Sequence, residues 1–254
     1  MNFEIILDTI RSSSIYTNRK MKHIKALMLN IGQMHALISP FKSFGQTGED
    51  AILRHWLPEK KGFYVEIGSG KPIADSNTYF LYKRGWSGIC VDPILENSRL
   101  HKLFRSRDTH LQILIGEMAQ LRSFWEFNSY GFSTANEEVA NQLIESKKVK
   151  LLHKSQIRET PLSEIVPLIN PLEPSALSID VEGFEMAVLK SNNWERFSPR
   201  IICIEEWELA ISVPSEIGKY LLDMGYIWKG WTGLTSFYVH TEYLTKIKSS
   251  LHHR

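Results

Sequence analysis

The stretch GFYVEIGSGKPIADSNTYFLYKRGWSGICVDP, residues 62 to 93, carries the pattern from which the fold follows. An apolar run over 62–68 ends in a glycine-rich turn and predicts a buried strand. Residues 76–85 begin with a good capping side chain and end at a glycine, which predicts a helix. A second apolar run over 87–92 predicts another strand. Strand, helix and strand in this order form a βαβ unit, so the two strands lie parallel in one sheet.

The alternation of strands and helices continues beyond this unit. Further predicted elements are helices over 97–104, 185–190 and 215–224 and strands over 111–116, 176–180 and 200–206. Two last strands, 226–230 and 236–240, flank a short turn and predict a hairpin, which makes the final strand antiparallel. The sequence therefore predicts an α/β fold, a Rossmann-like three-layer sandwich around a mostly parallel sheet.

The segment between residues 118 and 160 is the least regular part of this pattern. Residues 121–127 predict an added strand. Thr134 and Glu137 form a capping box, which predicts a helix that runs to about Lys147. The segment contains no motif that names a substrate.

Composition excludes several classes of protein. The 254 residues are 43% hydrophobic, enough for a sizeable core, and the net charge of +2 is far from that of a dedicated nucleic-acid binder. Cys90 and Cys203 lie in apolar runs, which favours buried thiols over a disulfide. The most apolar N-terminal stretch, residues 26–39, is interrupted by polar side chains and is too short to span a membrane. These features predict a cytoplasmic protein with no transmembrane segment.

Residues 1–43 differ from the remainder and predict an N-terminal helical extension, with the main domain over 44–254. Apolar residues recur there at helical spacing, and lysines and arginines outnumber acids. A helix pair that packs or dimerises with a solvated basic face is the favoured interpretation, so a homo-oligomer through these helices is expected. An arm on an anionic surface is the alternative.

The glycine turn after the first strand indicates which nucleotide the domain binds. Gly68 and Gly70 are followed by Lys71 and Pro72, without the third glycine that a dinucleotide pyrophosphate cradle uses. The bare backbone and the preceding acid, Glu66, suit a ligand with a cationic amine and an adenosine body, such as S-adenosylmethionine.

Two more acids follow strands that lead to this edge of the sheet. Asp92 ends the second strand, where a carboxylate can accept both ribose hydroxyls of NAD or of S-adenosylmethionine. A role in helix capping is the alternative for Asp92. Glu117 follows the third strand and is a candidate for the adenine amino group, although a surface glutamate needs no special explanation.

A second group of acids follows the next two parallel strands. Asp180, Glu182 and Glu185 come after one of them, and Glu205 and Glu206 come after the other. Carboxylates brought this close repel one another, which raises their pKa values unless a cation or a proton lies between them. Either a divalent metal or a general base is implied. By analogy with catechol-type O-methyltransferases, the Mg²⁺ ligands would be Asp180, Glu205 and Glu206.

Four segments in the same order resemble the FkbM family of S-adenosylmethionine-dependent methyltransferases. They are FGQTGEDAIL (44–53), the long block over 62–93, TPLSEI (160–165) and LSIDVEGFEMAVLK (177–190). The resemblance implies a class I methyltransferase fold with a seven-stranded sheet and an antiparallel last strand. It also implies methyl transfer to a hydroxyl of a sugar, a glycan or a natural product.

The resemblance also assigns roles to individual residues. The residues implied to hold the cofactor are Glu66, Gly68, Ser69, Gly70 and Asp92, with Gln46, Glu49 and Asn77 as further contacts. Asp180 and Glu182 are implied to lie beside the reacting methyl group, where one of them acts as the base. The expected cofactor is S-adenosylmethionine, with Mg²⁺ as an optional addition, and the expected partner is a small-molecule or glycan acceptor.

Two other classes of function stay open from the sequence. A nicotinamide-dependent sugar oxidoreductase would use the same fold, but the missing third glycine and the lack of a Tyr/Lys or Cys catalytic motif count against it. A catalytically inactive binding or scaffold protein would retain the fold without the chemistry. The acids at positions 66, 92, 180 and 182 count against that interpretation.

Overall fold

The structure, a computed structural model, describes residues 43–129, 131–206 and 214–251. The predicted N-terminal helical extension lies outside the described residues except for Ser43, so its helices, its boundary and its role in oligomerisation stay predictions. Within the described ranges, no helix is both long enough and apolar enough to cross a membrane.

Helices and strands alternate along the described chain. The helices are α1 Glu49–Trp56, α2 Tyr79–Lys83, α3 Leu95–Phe104, α4 Glu137–Ser146, α5 Leu162–Ile165, α6 Glu185–Lys190, α7 Glu216–Asp223 and α8 Thr241–Leu251. The strands are β1 Phe63–Ile67, β2 Ser87–Val91, β3 Thr109–Leu111, β4 Leu114–Ile115, β5 Gln120–Phe127, β6 Leu151–Thr160, β7 Ser175–Ile179, β8 Ile201–Glu205, β9 Tyr226–Trp231 and β10 Thr235–His240.

Seven strands form the main sheet in the order β3-β2-β1-β7-β8-β10-β9. Strands β1, β2, β3, β7 and β8 pair in parallel, while β10 runs antiparallel to both β8 and β9. The predicted α/β class, the mostly parallel sheet and the antiparallel strand at the end of the chain are confirmed. Strand β1 lies between β2 and β7, so the chain leaves the centre of the sheet at the glycine turn.

Alternating side chains of the strands fill two apolar layers, one on each face of the sheet. On one face, Val65 and Ile67 of β1 pack with the helix residues Leu162, Val188 and Leu221. On the other face, Tyr64 and Cys90 pack with α1, α2 and α8. Successive residues of a strand point to opposite faces, so each buried strand supplies both layers. The result is the predicted three-layer sandwich.

A second, small sheet with the order β4-β6-β5 departs from the sequence prediction. The predicted strand over 111–116 is in fact divided, because β3 joins the main sheet while β4 pairs with β6. The ten-residue strand β6 was not predicted at all. Seven of its ten side chains are polar and half are exposed, so it lacks the apolar alternation that marks a strand, and its pairing with β5 supplies the stabilisation instead.

Two helix starts also differ from the predictions. The capping box at Thr134 and Glu137 is wrong, because Asn136 caps α4 by accepting hydrogen bonds from the backbone N–H groups of Glu138 and Val139. Thr134 instead donates to the carbonyl of Glu182 at 2.9 Å. Helix α2 begins only at Tyr79, three residues later than predicted from Ser76, since the hydroxyls that would start it bind a buried ion network.

That network is centred on Arg105, which is 1% exposed at the end of α3. Its guanidinium donates to the carboxylates of Glu66 at 3.0 Å and Asp108 at 2.8 Å. It also donates to the hydroxyls of Tyr64 at 2.9 Å and Thr78 at 2.7 Å. These acceptors offset the cost of burying the positive charge of the guanidinium. The hydrogen bonds also connect β1, the start of α2 and the end of α3.

We predict that Arg105→Met lowers the free energy of unfolding by about 3 to 5 kcal/mol, because it leaves two buried carboxylates without their cation. Urea denaturation followed by circular dichroism measures this loss. The matched control is Arg99→Met on the same helix, since Arg99 is exposed and its pair with Glu96 spans 3.6 Å. The control should change stability by less than about 1 kcal/mol. Equal losses in the two variants would contradict a special role for the buried pair.

The ends of β1 and β7 approach each other closely at Gly68. This residue has φ +75°, and a Cβ placed there would lie 1.7 Å from the carbonyl oxygen of Asp180. Both the left-handed backbone and the contact therefore require glycine. The approach sets the glycine turn directly beside the acids that follow β7.

We expect Gly68→Ala to destabilise the fold by more than about 2 kcal/mol, since it adds a backbone clash to the strain of positive φ. The control is Gly48→Ala, which has φ +92° but nothing within 4 Å of the added Cβ. Thermal unfolding of the two variants separates the clash from the strain. If Gly68→Ala loses no more stability than Gly48→Ala, the close approach to the Asp180 carbonyl is not what requires glycine at position 68.

Candidate active site

A cavity of about 270 Å³ opens at the carboxyl ends of the parallel strands β1, β2 and β7. Gly68, Gly70 and Asp92 line one part of it, and Asp180 and Glu182 line another. The small sheet adds an apolar wall through Leu114, Ile115, Phe124 and Phe127. This is the position at which parallel α/β sheets bind their ligands, and it brings together members of both groups of residues that the sequence singled out.

Hydrogen bonds to β2 hold the glycine turn in place. The backbone N–H groups of Gly68 and Ser69 donate to the carbonyl of Val91 at 2.9 and 3.0 Å. The N–H of Gly70, which has φ +50°, donates to a carboxylate oxygen of Asp92 at 2.9 Å. The turn is therefore rigid before any ligand arrives, and its backbone faces the cavity without side-chain bulk.

Asp92 is buried at 5% exposure and has both a structural and a cavity-lining role. Its other oxygen accepts from the N–H of Ile94 at 2.8 Å and from the Asn97 amide at 3.0 Å. Burial raises the pKa of Asp92 to about 6, against the lowering effect of these hydrogen bonds. Helix α3 is capped at Ile94, so Asp92 orders the turn before the helix while its carboxylate still reaches the cavity.

Three carboxylates meet where β7 and β8 end. Asp180, Glu182 and Glu205 each offer an oxygen within 4.8 Å of the other two. Burial, with the neighbouring charge of Glu185 as a further cause, raises the pKa of Asp180 to about 7. Burial and the charge of Asp180 raise the pKa of Glu182 to about 8. Both groups therefore exchange protons near neutral pH, as a general base requires.

The structure does not bring Glu206 to this cluster. Its carboxylate accepts a 2.7 Å hydrogen bond from the hydroxyl of Tyr238 and another from Ser215, which caps α7. The sequence could not distinguish these adjacent acids. Consecutive residues of a strand point to opposite faces, so Glu205 and Glu206 point in different directions. The predicted set of Asp180, Glu205 and Glu206 is therefore replaced by Asp180, Glu182 and Glu205.

The loop that carries Glu182 is strained and tightly held. Glu182 has φ +53°, in the left-handed region that non-glycine residues rarely adopt. Asn136 donates to the carbonyl of Gly183 at 2.9 Å, and the carboxylate of Glu185 accepts from the N–H groups of Val181 and Gly183. These bonds hold the backbone on both sides of Glu182, and local strain of this kind concentrates at functional sites.

Some residues that were candidates for cofactor contact lie elsewhere. Glu66 points to the opposite face of the sheet and binds Arg105, so its carboxylate does not line the cavity. Ser69 and Asn77 are also absent from the described lining, and Asn77 donates to Ser178 at 3.2 Å. Glu117 is exposed beyond β4 and does not line the cavity either.

The segment before α1 contributes one side chain to the cavity and one anchor. Gln46 lines the cavity, as the resemblance implied. Glu49 instead is buried and accepts from the N–H of Thr47 at 2.9 Å and from the hydroxyls of Thr232 and Thr235. Glu49 thus ties the loop that presents Gln46 to the β9–β10 turn.

Sequence reasoning missed two acids in the cavity wall, Asp75 and Glu126. Asp75 has φ +60°, a conformation that no local motif predicted. Glu126 interrupts the apolar run FWEF in β5, and an acid in a half-buried strand was the signal that could have identified it. With them, the described lining carries five carboxylates and no lysine, arginine or histidine.

Comparisons with known proteins identify the family of this chain. The model of the family described as "Methyltransferase FkbM domain" matches residues 66–227, more than half of the chain. No curated protein matches the chain. Among solved structures, a TehB-like SAM-dependent methyltransferase from Corynebacterium glutamicum is 10% identical, with a TM-score of 0.39, and the match covers 85% of this chain and 100% of that one.

A precorrin-6y C5,15-methyltransferase from Geobacter metallireducens is also 10% identical, with a TM-score of 0.38 over 79% of this chain and 94% of that one. The residues matched by the family description include the glycine turn, Asp92 and the Asp180–Glu185 loop. The chain therefore belongs to the FkbM family of methyltransferases.

Proposed function

We propose that the protein is an S-adenosylmethionine-dependent O-methyltransferase that acts on a hydroxyl of a sugar, a glycan or a natural product. The observation that carries the proposal is the charge of the cavity. Its described lining has the acids Asp75, Asp92, Glu126, Asp180 and Glu182 and no basic side chain. Such a lining attracts a ligand with a sulfonium and an ammonium group.

The same charge argues against a nicotinamide cofactor. A dinucleotide brings two negative phosphates, which would face carboxylates without a compensating cation among the described lining residues. The glycine turn also lacks the third glycine of the pyrophosphate cradle. An inactive scaffold is disfavoured because two carboxylates with pKa values raised toward neutrality are costly to maintain unless they are used.

The residues fit the nucleoside part of S-adenosylmethionine. Gly68 and Gly70 leave the backbone open to close approach, and the Asp92 oxygen that accepts from Gly70 retains a lone pair for a ribose hydroxyl. Ile94, Leu114 and Phe124 supply an apolar wall suited to an adenine ring. Each of these groups is held by hydrogen bonds or packing before a ligand binds.

When bound, S-adenosylmethionine supplies a methyl group on a positively charged sulfur, which a hydroxyl oxygen can attack. The chain contributes alignment and removal of the hydroxyl proton. Glu182 or Asp180 accepts that proton as the oxygen–carbon bond forms and the carbon–sulfur bond breaks. Because burial holds their pKa values at about 8 and 7, either carboxylate is basic enough to take the proton and can release it near neutral pH.

A divalent metal is the second way to use the acid cluster. The oxygens of Asp180, Glu182 and Glu205 form the hard donor set that Mg²⁺ prefers. A bound cation would lower the raised pKa values and orient the acceptor hydroxyl. Cofactor binding and activity should therefore be measured both with and without Mg²⁺. The cytoplasmic location and the homo-oligomer stay predictions.

We predict that the purified full-length chain binds S-adenosylmethionine and S-adenosylhomocysteine but not NADH, as measured by isothermal titration calorimetry with and without Mg²⁺. Asp92→Asn should weaken both sulfur nucleotides about tenfold or more, since it replaces a charged acceptor of ribose hydroxyls. Asp223→Asn on the exposed end of α7 is the control and should bind normally. Binding of NADH alone would sink the methyltransferase proposal.

We further expect Glu182→Gln or Asp180→Asn to lower kcat by about a hundredfold or more, with the affinity for S-adenosylhomocysteine changed less than about threefold. In the wild type, activity should rise between about pH 7 and 8, because the base works only when deprotonated and its pKa is raised. Of the two variants, the one that removes the general base should no longer show this rise of activity with pH.

Methyl transfer to a panel of hydroxyl-bearing sugars and glycosides, followed by mass spectrometry, provides the assay. Glu117→Gln, an exposed change outside the cavity, serves as the control for glutamate removal. An unchanged kcat in both carboxylate variants would show that neither residue is the base. Loss of activity on chelation, with recovery on addition of Mg²⁺, would favour the metal alternative.

A further inference from the structure

We propose that Glu126 is a second carboxylate that binds the nucleoside half of the cofactor, and that His153 is its positioning residue. The inference rests on the proposed use of S-adenosylmethionine. It assigns to β5 of the small sheet the role that the sequence suggested for Glu117. The small sheet then takes part in cofactor binding, in addition to closing the cavity.

Glu126 lies on the face of β5 that meets the main domain. Phe124 and Glu126, two residues apart, both line the cavity. The Glu126 side chain is 22% exposed, and one of its oxygens lies 3.2 Å from Nε2 of His153. Within the described part of the chain, its other oxygen has no hydrogen-bond donor. Because Glu126 lines the cavity, that oxygen can accept a hydrogen bond from a ligand bound there.

Glu126 and Asp92 line the same cavity, and the charge of Glu126 acts on Asp92. Burial raises the pKa of Asp92 to about 6, and the negative charge of Glu126 contributes to the rise. No basic side chain lies in the described lining to separate the two carboxylates. Ribose hydroxyls and the adenine amino group are neutral donors that can satisfy both acids without introducing a charge.

His153 holds Glu126 from outside the cavity. The two residues are directly opposite each other in the antiparallel pairing of β5 with β6. His153 is 59% exposed, so their contact lies at the cavity rim and is partly screened by water. Its contribution is to fix the orientation of the Glu126 carboxylate, and its removal should weaken binding only modestly.

Glu117 does not suit the same role. It is exposed in the turn between β4 and β5 and is absent from the cavity lining. This makes Glu117→Gln a matched control, since it removes an identical charge from a nearby part of the same segment. A general electrostatic effect would appear in both variants, whereas a direct contact would appear only in Glu126→Gln.

The test is calorimetric titration of the full chain with S-adenosylhomocysteine. Glu126→Gln should weaken binding about tenfold or more, and Glu117→Gln should leave it unchanged within about twofold. Two analogues locate the contact, one with the adenine amino group and one with the ribose 2′-hydroxyl replaced by hydrogen. The penalty of Glu126→Gln should disappear for the analogue that lacks the bonded group.

Two results would overturn the inference in distinguishable ways. If the wild type binds S-adenosylhomocysteine and Glu126→Gln binds it equally well, only the inference fails. If the wild type does not bind it at all, the proposed function fails and the inference falls with it. Thermal unfolding of each variant confirms that the fold is intact.

The role of His153 has its own readout in a double-mutant cycle. His153→Gln should weaken binding about twofold to threefold in the wild type and have no effect in the Glu126→Gln background. A merely structural role would give the same loss in both backgrounds, because it would not act through the carboxylate. Additive losses would therefore remove His153 from the proposal while leaving Glu126 in it.

Discussion

The close approach of Gly68 to the carbonyl of Asp180 is the constraint on which the site depends. Strands β1 and β7 are neighbours in the sheet, and a Cβ at Gly68 would lie 1.7 Å from that oxygen. Glycine alone permits the turn after β1 to bend across the end of β7. The contact brings the glycine turn and the acid loop into one cavity, so a nucleotide at the turn would meet the carboxylates directly.

The acids at the strand ends divide into structural and cavity groups according to the face on which they lie. Glu66 is one residue from Ile67 of the cavity lining, yet its carboxylate points to the opposite layer and compensates Arg105. Glu206 is likewise held by Tyr238, next to Glu205 of the acid cluster. Buried charges are stable only when paired and hydrogen-bonded, so each structural acid has its donors within the fold. Burial, together with the charges of neighbouring carboxylates, instead raises the pKa values of the cavity acids Asp180 and Glu182.

The small sheet explains why the cavity is enclosed on the side away from the main strands. Strand β4 begins three residues after β3 ends and belongs to the small sheet, in which β5 and β6 form the remainder of the wall. Phe124 and Leu114 pack with Ile94 at the start of α3, which joins this wall to the segment that holds Asp92. The loop after β7 is also held from this side of the cavity, since Thr134 and Asn136 donate hydrogen bonds to the backbone carbonyls of Glu182 and Gly183.

The main sheet, its antiparallel last strand, the glycine turn and the two groups of acids are predictable from the amino-acid sequence. These follow from apolar periodicity and from glycines and acids at strand ends, which are local features. That β6 is a strand and that Glu66 and Glu206 turn away from the cavity follows instead from contacts within the fold. The pairing partner of a polar strand, and the packing that turns a strand-end acid toward or away from a cavity, depend on residues distant in sequence. No local pattern contains them.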